Sequence, residues 1–248
     1  MLRSFVSGIV LYSFLCFNCE KNGNGSESEN NEPVEGSDWD LVWSDEFDGT
    51  SLDQSKWNIL RWRPGWVNNE LQAYTERDTN IYLENGSLVL RALIEPGYFD
   101  SDYQGNSYSA DYTSGRINTA EKFTPTYGRM DIRAKLPKGR GSWPAIWMLG
   151  ENISTVGWPN CGEIDIMEHV GFDSGIIHGS IHTEDFNHMN NTQKSGSTVV
   201  STATDSFHVY SLEWTPDYLR YLVDDSPFFF VYNNSMNDIS QWPFDSPH

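Results

Sequence analysis

Positive charge is scarce in this 248-residue chain. Sixteen Lys and Arg stand against 35 Asp and Glu, for a formal net charge of −19. Binding to phosphate backbones or anionic membranes needs clustered basic side chains, so nucleic acid and anionic lipid are poor partners. A neutral or cationic ligand fits, and the acidic surplus keeps an exported protein soluble. Cysteine is rarer still, with only Cys16, Cys19 and Cys161. The first two fall in a leader-like segment, which leaves one thiol in the rest of the chain and no pair for an internal disulfide. Cys161 lies two residues from Glu163. No separate His-and-Asn pattern supports a cysteine nucleophile, and a small buried residue opening a core strand is the simpler reading. Long helical periodicity is absent. So is any apolar run of the ~20 residues that a membrane-spanning helix needs.

What is present begins with Met1-Leu2-Arg3, followed by an apolar run over residues 5–17 broken only by Ser and Gly. A basic start before a short apolar run predicts an export signal over residues 1–19. Its end, Phe14-Leu15-Cys16-Phe17-Asn18-Cys19, resembles the lipobox of bacterial lipoproteins, with Cys19 as the acylated residue. Asn18 departs from the small residue usual there, and Cys16 is a second candidate. The expected location is the outside of a bacterial cell, either secreted or held by a lipid anchor. Residues 20–37 hold one apolar residue, Val34, and read as a flexible acidic linker. One domain remains, residues 38–248, large enough to bury a core without covalent staples.

Strand signals dominate that domain. Residues 80–94 place two apolar runs around Glu84-Asn85-Gly86-Ser87, and Asn-Gly between apolar runs is a strong hairpin signal. Residues 127–136 alternate as a half-buried strand. Residues 143–149, 176–183, 207–214, 218–223 and 228–232 complete the set, with Thr215-Pro216-Asp217 as a second hairpin turn. Many strands separated by turns predict an all-β sandwich or barrel. Aromatics are 14% of the chain, with ten Trp. Trp62, Trp66, Trp143 and Trp158 sit in polar or Gly/Pro-rich surroundings, where exposed indole faces suit flat ligands such as sugar rings.

The chemistry concentrates in Glu163-Ile164-Asp165-Ile166-Met167-Glu168. In a regular strand residues i, i+2 and i+4 share a face, so Glu163 and Asp165 do. Strict alternation sends Glu168 to the opposite face, among Ile164 and Ile166, where ionising a lone carboxylate is costly. One β-bulge near Ile166 or Met167 resolves the conflict and returns Glu168 to its acidic neighbours. Three carboxylates on one strand face repel one another and suit acid–base chemistry or metal binding. A solvated acidic face is the bland alternative, but the interleaved Ile and Met favour a packed central strand. Calcium or magnesium on the three acids would want more oxygen ligands than a strand offers. A retaining glycosidase needs two carboxyls ~5–5.5 Å apart, one to attack the anomeric carbon and one to protonate the leaving oxygen.

The stretch Trp158-Pro159-Asn160-Cys161-Gly162-Glu163-Ile164-Asp165-Ile166-Met167-Glu168-His169-Val170-Gly171 resembles the catalytic signature of glycoside hydrolase family 16, the bacterial laminarinases in particular. Trp43-Ser44-Asp45-Glu46-Phe47-Asp48-Gly49, Asn68-Asn69-Glu70-Leu71-Gln72-Ala73-Tyr74-Thr75, Ser114-Gly115-Arg116 and Trp143-Pro144-Ala145-Ile146-Trp147-Met148-Leu149 match in the same order. The resemblance implies a concanavalin-like β-jelly-roll sandwich with a glycan-binding cleft on its concave face. It implies endo-hydrolysis of β-1,3-glucan with retention, by a monomer that needs no catalytic cofactor and no protein partner. Glu163 would be the nucleophile, Asp165 its partner and Glu168 the general acid/base. The bulged spacing disfavours the xyloglucan-modifying members. Mixed-linkage glucanase is the alternative within the family, agarase or carrageenase a weaker one, and a non-catalytic glucan-binding module the rival outside catalysis.

By the same matching, Asn69, Arg116, Trp143, Trp147 and His182 are cleft candidates. Trp147 alone reads equally as core, and Glu70 as structural. His178 and His182 share a strand face, but no third ligand at suitable spacing supports zinc. The resemblance also implies a structural calcium near Glu46 and Gly86, completed by an Asp from a final strand that this chain does not show. Family members continue past Trp242-Pro243-Phe244-Asp245, so the chain is expected to be a fragment lacking its C-terminal strands.

Overall fold

The computed structural model describes residues 7–18, 39–234 and 238–248. Its first half contains β1 (Ser7–Asn18), β2 (Asp40–Asp45), β3 (Asn58–Ile59), β4 (Gln72–Tyr74), β5 (Ile81–Leu83), β6 (Leu88–Ser101), β7 (Ser107–Ser114), β8 (Ile117–Asn118) and β9 (Gly128–Lys135). The second half contains β10 (Ala145–Leu149), the one-turn helix α1 (Ile153–Val156), β11 (Glu163–Glu168), β12 (Ile176–His182), β13 (Lys194–Val199), β14 (His208–Trp214), β15 (Tyr218–Val223) and β16 (Ser226–Tyr232).

The strands form a jelly roll of two main layers. The larger sheet runs β16-β15-β14-β9-β1-β6-β7-β4, with β2 on β1 and β5 on β6, and the smaller runs β10-β11-β12-β13. Alternation explains how they stack. Along β9, Met130, Ile132 and Ala134 are fully buried while the residues between them are not. Tyr210, Leu212 and Trp214 of β14 and Leu219 and Tyr221 of β15 extend this face, and Ile164, Ile166, Met167, Ile177 and Ile181 of the smaller sheet pack onto it. At Gly179 a Cβ would stand 2.8 Å from the Tyr221 ring, so only glycine lets the layers approach there. The Tyr221 hydroxyl donates across the layers to the Ser180 carbonyl (3.0 Å).

The hairpin expected at Asn85-Gly86 joins β5 to β6. Both residues are left-handed (φ 52° and 69°), and Glu84 and Ser87 exchange backbone hydrogen bonds, the geometry of a two-residue primed turn. Residues 7–18, read from the sequence as part of a leader, run as β1 between β6 and β9, with Leu11 opposite Leu88 and Phe14 opposite Ile132. Cys19 and the linker at 20–37 lie outside the described residues. Among the described residues no helix is long and apolar enough to cross a membrane.

The segment after β16 seals the core beneath the smaller sheet. Trp242 and Phe244 are buried, and Trp214 Nε1 donates to the Phe244 carbonyl (2.9 Å). The His248 N–H donates to the Pro125 carbonyl and the Glu151 N–H to that of Pro247. Phe244→Ala should therefore cost about 3–5 kcal/mol, read as a lower urea midpoint at unchanged slope. A loss below about 1 kcal/mol would show that this ring is not part of the core.

Candidate active site

The central strand of the smaller sheet carries the three acids, and its register shows the extra residue directly. From Asp165 to Glu168, β11 advances three residues while β12 advances two, from Ser180 to His178. On the other side, Asp165 to Met167 is two steps on β11 against one on β10, Trp147 to Ile146. The surplus is a β-bulge at Ile166–Met167, where alternation required it. Ile164, Ile166 and Met167 all enter the core. Glu163, Asp165 and Glu168 share the opposite, groove-facing side, opposite His182, Ser180 and His178 of β12.

Each acid has its own donor. Trp158 Nε1 donates to Glu163 Oε2. Ser180 Oγ donates to Asp165 Oδ2 (2.6 Å), and His182 Nε2 lies 3.3 Å from the same oxygen. Trp143 Nε1 donates to Glu168 Oε1 (2.9 Å). Glu163 and Asp165 also share a side-chain hydrogen bond. Burial, and after it the charge of Asp165, pushes the Glu163 carboxyl well above the usual range. Asp165 is raised by its own burial and then by the charge of Glu168. The pair therefore keeps, near neutral pH, a proton that two exposed carboxylates would have lost. Burial lowers His182, which stays a neutral imidazole.

Trp147 faces the groove, directly across from Asp165. The Arg116 guanidinium lies over its ring (4.7 Å), over Trp62 (4.2 Å) and over Tyr74 (5.5 Å). This cation–π stack makes an aromatic wall, which Trp66 extends at 6.1 Å from Trp62 and 44% exposed. Trp143 is 51% exposed, so its ring face stays open while its N–H holds Glu168. Asn69 is exposed, left-handed (φ 52°), in the turn before β4. Among the described residues no hydrogen bond ties it to the acids. Glu70 accepts a hydrogen bond from Gln72 Nε2 (3.2 Å), which also donates to Tyr74 (3.0 Å), a buttress for the aromatic wall. Cys161 is fully buried and pushed up to about 11 by burial and the Glu163 charge, so it supplies no thiolate.

Three contacts escaped the sequence. Ser180 meets Asp165 only through strand register. Trp158 was legible as an unusual Trp five residues before Glu163, but not as its donor. His188 packs tilted against Trp158 and edge-to-face with His182, from a loop that no motif marks. Glu46 is exposed, and the neighbouring Asp45 is already bonded to Phe47 N–H (3.0 Å) and Trp57 Nε1 (2.8 Å). Gly86 occupies the β5–β6 turn, and among the described residues no three His, Cys, Asp or Glu side chains converge as a metal site.

Buried, proton-sharing carboxylates in an aromatic-lined groove of a jelly roll are the equipment of a polysaccharide hydrolase. Residues 64–248 match the model of the glycosyl hydrolases family 16. The β-glucanase of Rhodothermus marinus is 46% identical over 217 residues, covering 84% of this chain and 72% of the relative. The glucan endo-1,3-beta-glucosidase A1 of Niallia circulans is 39% identical over 84% of this chain and 32% of its own length. The X-ray structure of the laminarinase from Rhodothermus marinus superposes with a TM-score of 0.74 at 44% identity, covering 85% of this chain and 83% of that one. The chain belongs to glycosyl hydrolase family 16 and is a glycoside hydrolase.

The raised pair sets a sign for stability. The folded pair binds protons more tightly than the unfolded chain, whose values lie near 4.5 and 3.8. Its contribution to stability is full below that range and is lost as pH rises through the raised values. Asp165→Asn removes the charge that acts on Glu163. In a carbon-13 carboxyl titration, Glu163 should then ionise at lower pH than in the wild type, still above an exposed Glu. An unchanged titration would contradict the coupling.

Proposed function

We propose that this chain cleaves β-1,3-glucan internally, with retention of configuration, by double displacement. The observation that carries this reading is the placement of Glu163 and Glu168 on one strand face on either side of the buried Asp165. The strand rise puts their Cα atoms roughly 13 Å apart, so the two long side chains lean toward each other over the shorter Asp165 to approach the ~5–5.5 Å of a retaining pair. The names of the relatives, β-glucanase, endo-1,3-beta-glucosidase and laminarinase, support the linkage.

The steps follow from the donors. Glu163 attacks the anomeric carbon in the form in which Asp165 holds the shared proton, and Trp158 N–H together with that proton disperses the charge of the attacking carboxylate. Glu168, aimed by Trp143, gives its proton to the leaving glycosidic oxygen. The bond from Glu163 to the sugar is an ester. Glu168, now ionised, takes a proton from water, whose oxygen attacks the anomeric carbon and returns Glu163 to its carboxylate. No cofactor enters these steps. The exposed Trp66 ring, backed by Trp62, Arg116 and Trp147, offers a flat face to sugar rings. A polymeric substrate and the basic–apolar leader support work outside the cell. The N-terminal residue of the protein recovered from cells tells whether residues 7–18 are removed or retained as β1.

Hydrolysis of laminarin followed by proton NMR should release the β-anomer first, with weaker cleavage of lichenan and none of agarose. Preference for lichenan would move the assignment to mixed-linkage glucan, and first release of the α-anomer would overturn retention. Glu168→Ala should lose roughly 10²–10⁴-fold in turnover and, with azide, give the β-glycosyl azide. Glu163→Ala with azide should give the α-azide. Interchanged azide products would exchange the two roles.

A further inference from the structure

Three rings close over the Glu163 side of the groove, and one of them contacts neither acid. His188, in the loop of residues 183–193 between β12 and β13, has its ring centroid 5.0 Å from Trp158 and 5.1 Å from His182. Trp158 and His182 are themselves 6.0 Å apart. Trp158 holds Glu163, and His182 faces Asp165. His188 thus touches the neighbours of both members of the proton-sharing pair while touching neither acid.

The loop is built to keep it there. Asn187 is 3% exposed, and its Nδ2 donates to the carbonyls of Thr183 (3.1 Å) and Glu184 (2.9 Å). Its Oδ1 accepts from the Asn190 N–H (3.2 Å), and its own N–H donates to Thr192 Oγ1 (3.1 Å). Thr192 Oγ1 donates to the Asp185 carbonyl (2.7 Å), and the Asp185 N–H donates to the Ser240 carbonyl (3.0 Å). Joining two antiparallel strands requires only 2–5 residues, so connection alone does not call for this construction. The His188 side chain is exposed and makes no hydrogen bond among the described residues, so whatever it contributes passes through its ring faces. Burial keeps both His182 and His188 on the neutral side, and uncharged rings pack without repulsion.

We propose that His188 is a positioning residue for the Glu163–Asp165 pair, its ring pressing Trp158 and His182 together and so fixing the donors on both carboxyls. Removing the ring frees one face of Trp158, and the indole N–H leaves Glu163 Oε2. Glu163 then loses a bond that favours its ionised form. The titratable groups around this contact are Glu163, Asp165 and Glu168 of β11, His178 and His182 of β12, Cys161 before β11, and Glu184 and Asp185 of the loop itself.

The inference rests on the catalytic reading of Glu163, and its test separates the two. Carbon-13 carboxyl titration of Glu163 needs no turnover, whereas kinetics on laminarin do. In His188→Ala, Glu163 should titrate at higher pH than in the wild type, with kcat down about tenfold and KM within about twofold. His188→Phe, which restores a flat ring without a titratable group, should bring both back to within about twofold of the wild type. Should wild-type protein fail to cleave laminarin while the titrations respond as stated, the glucanase reading falls and the positioning role stands. An unmoved Glu163 titration in His188→Ala overturns the role. So does an effect on KM alone, or a loss of rate or of melting temperature that His188→Phe shares.

Discussion

Asp165 is buried with Glu163 half-buried beside it, so ionising both at once is costly, and the rest of the site is arranged around that constraint. Taking a carboxylate out of water is expensive unless it is neutralised or well supplied with donors. Here both remedies operate at once. The two groups share a proton, and Trp158, Ser180 and His182 surround the remaining oxygens. A single negative charge is then held in a polar pocket with little room to relax. This is the condition under which fixed dipoles act most strongly on developing charge.

The strand geometry makes the arrangement possible. β11 is central in its sheet, buried on its core side by Ile164, Ile166 and Met167. The bulge puts two consecutive apolar side chains into that core and leaves Glu168 on the groove side. β10 and β12 are hydrogen-bonded to β11 on either side, so its acids are fixed by a sheet rather than by a loop, with the precision that chemistry requires. Loops supply the indoles of Trp158 and Trp143, and through His188 the ring that packs against Trp158. Precise elements thus carry the reacting groups, and longer, more variable segments carry the groups that aim them.

How much of this was legible in the sequence depended on whether a feature was local. The bulge followed from three acids, two Ile and one Met in six positions, because only one register keeps Glu168 out of the core. Strands with clear apolar alternation, such as β9, β14 and β15, and the Asn85-Gly86 hairpin were legible for the same reason. β7 and β13 were not, since Ser, Thr and Gly make half or more of their length and their exposure pattern carries little hydrophobic signal. The β15–β16 turn was hidden too, being made by left-handed Asp224 and Asp225 rather than by glycine. Residues 7–18 are apolar enough to serve either as an export leader or as a strand, and periodicity does not separate the two. Ser180, Trp158 and His188 became partners of the acids only through the fold, because cross-strand register and loop path set those contacts. Trp147 was ambiguous in sequence for a physical reason: its strand is apolar on both faces, and the groove face is covered by Arg116 rather than by water.

The central claim is that the acid at 163 attacks carbon while the acid at 168 moves protons. An activated 2-deoxy-2-fluoro β-1,3-glucosyl donor slows the second half of such a reaction and accumulates its ester. Mass spectrometry of the peptide spanning β11, after exposure to that donor, should find the sugar attached to Glu163. A sugar on Glu168, or an enzyme that turns over laminarin yet never carries the label, would contradict the account.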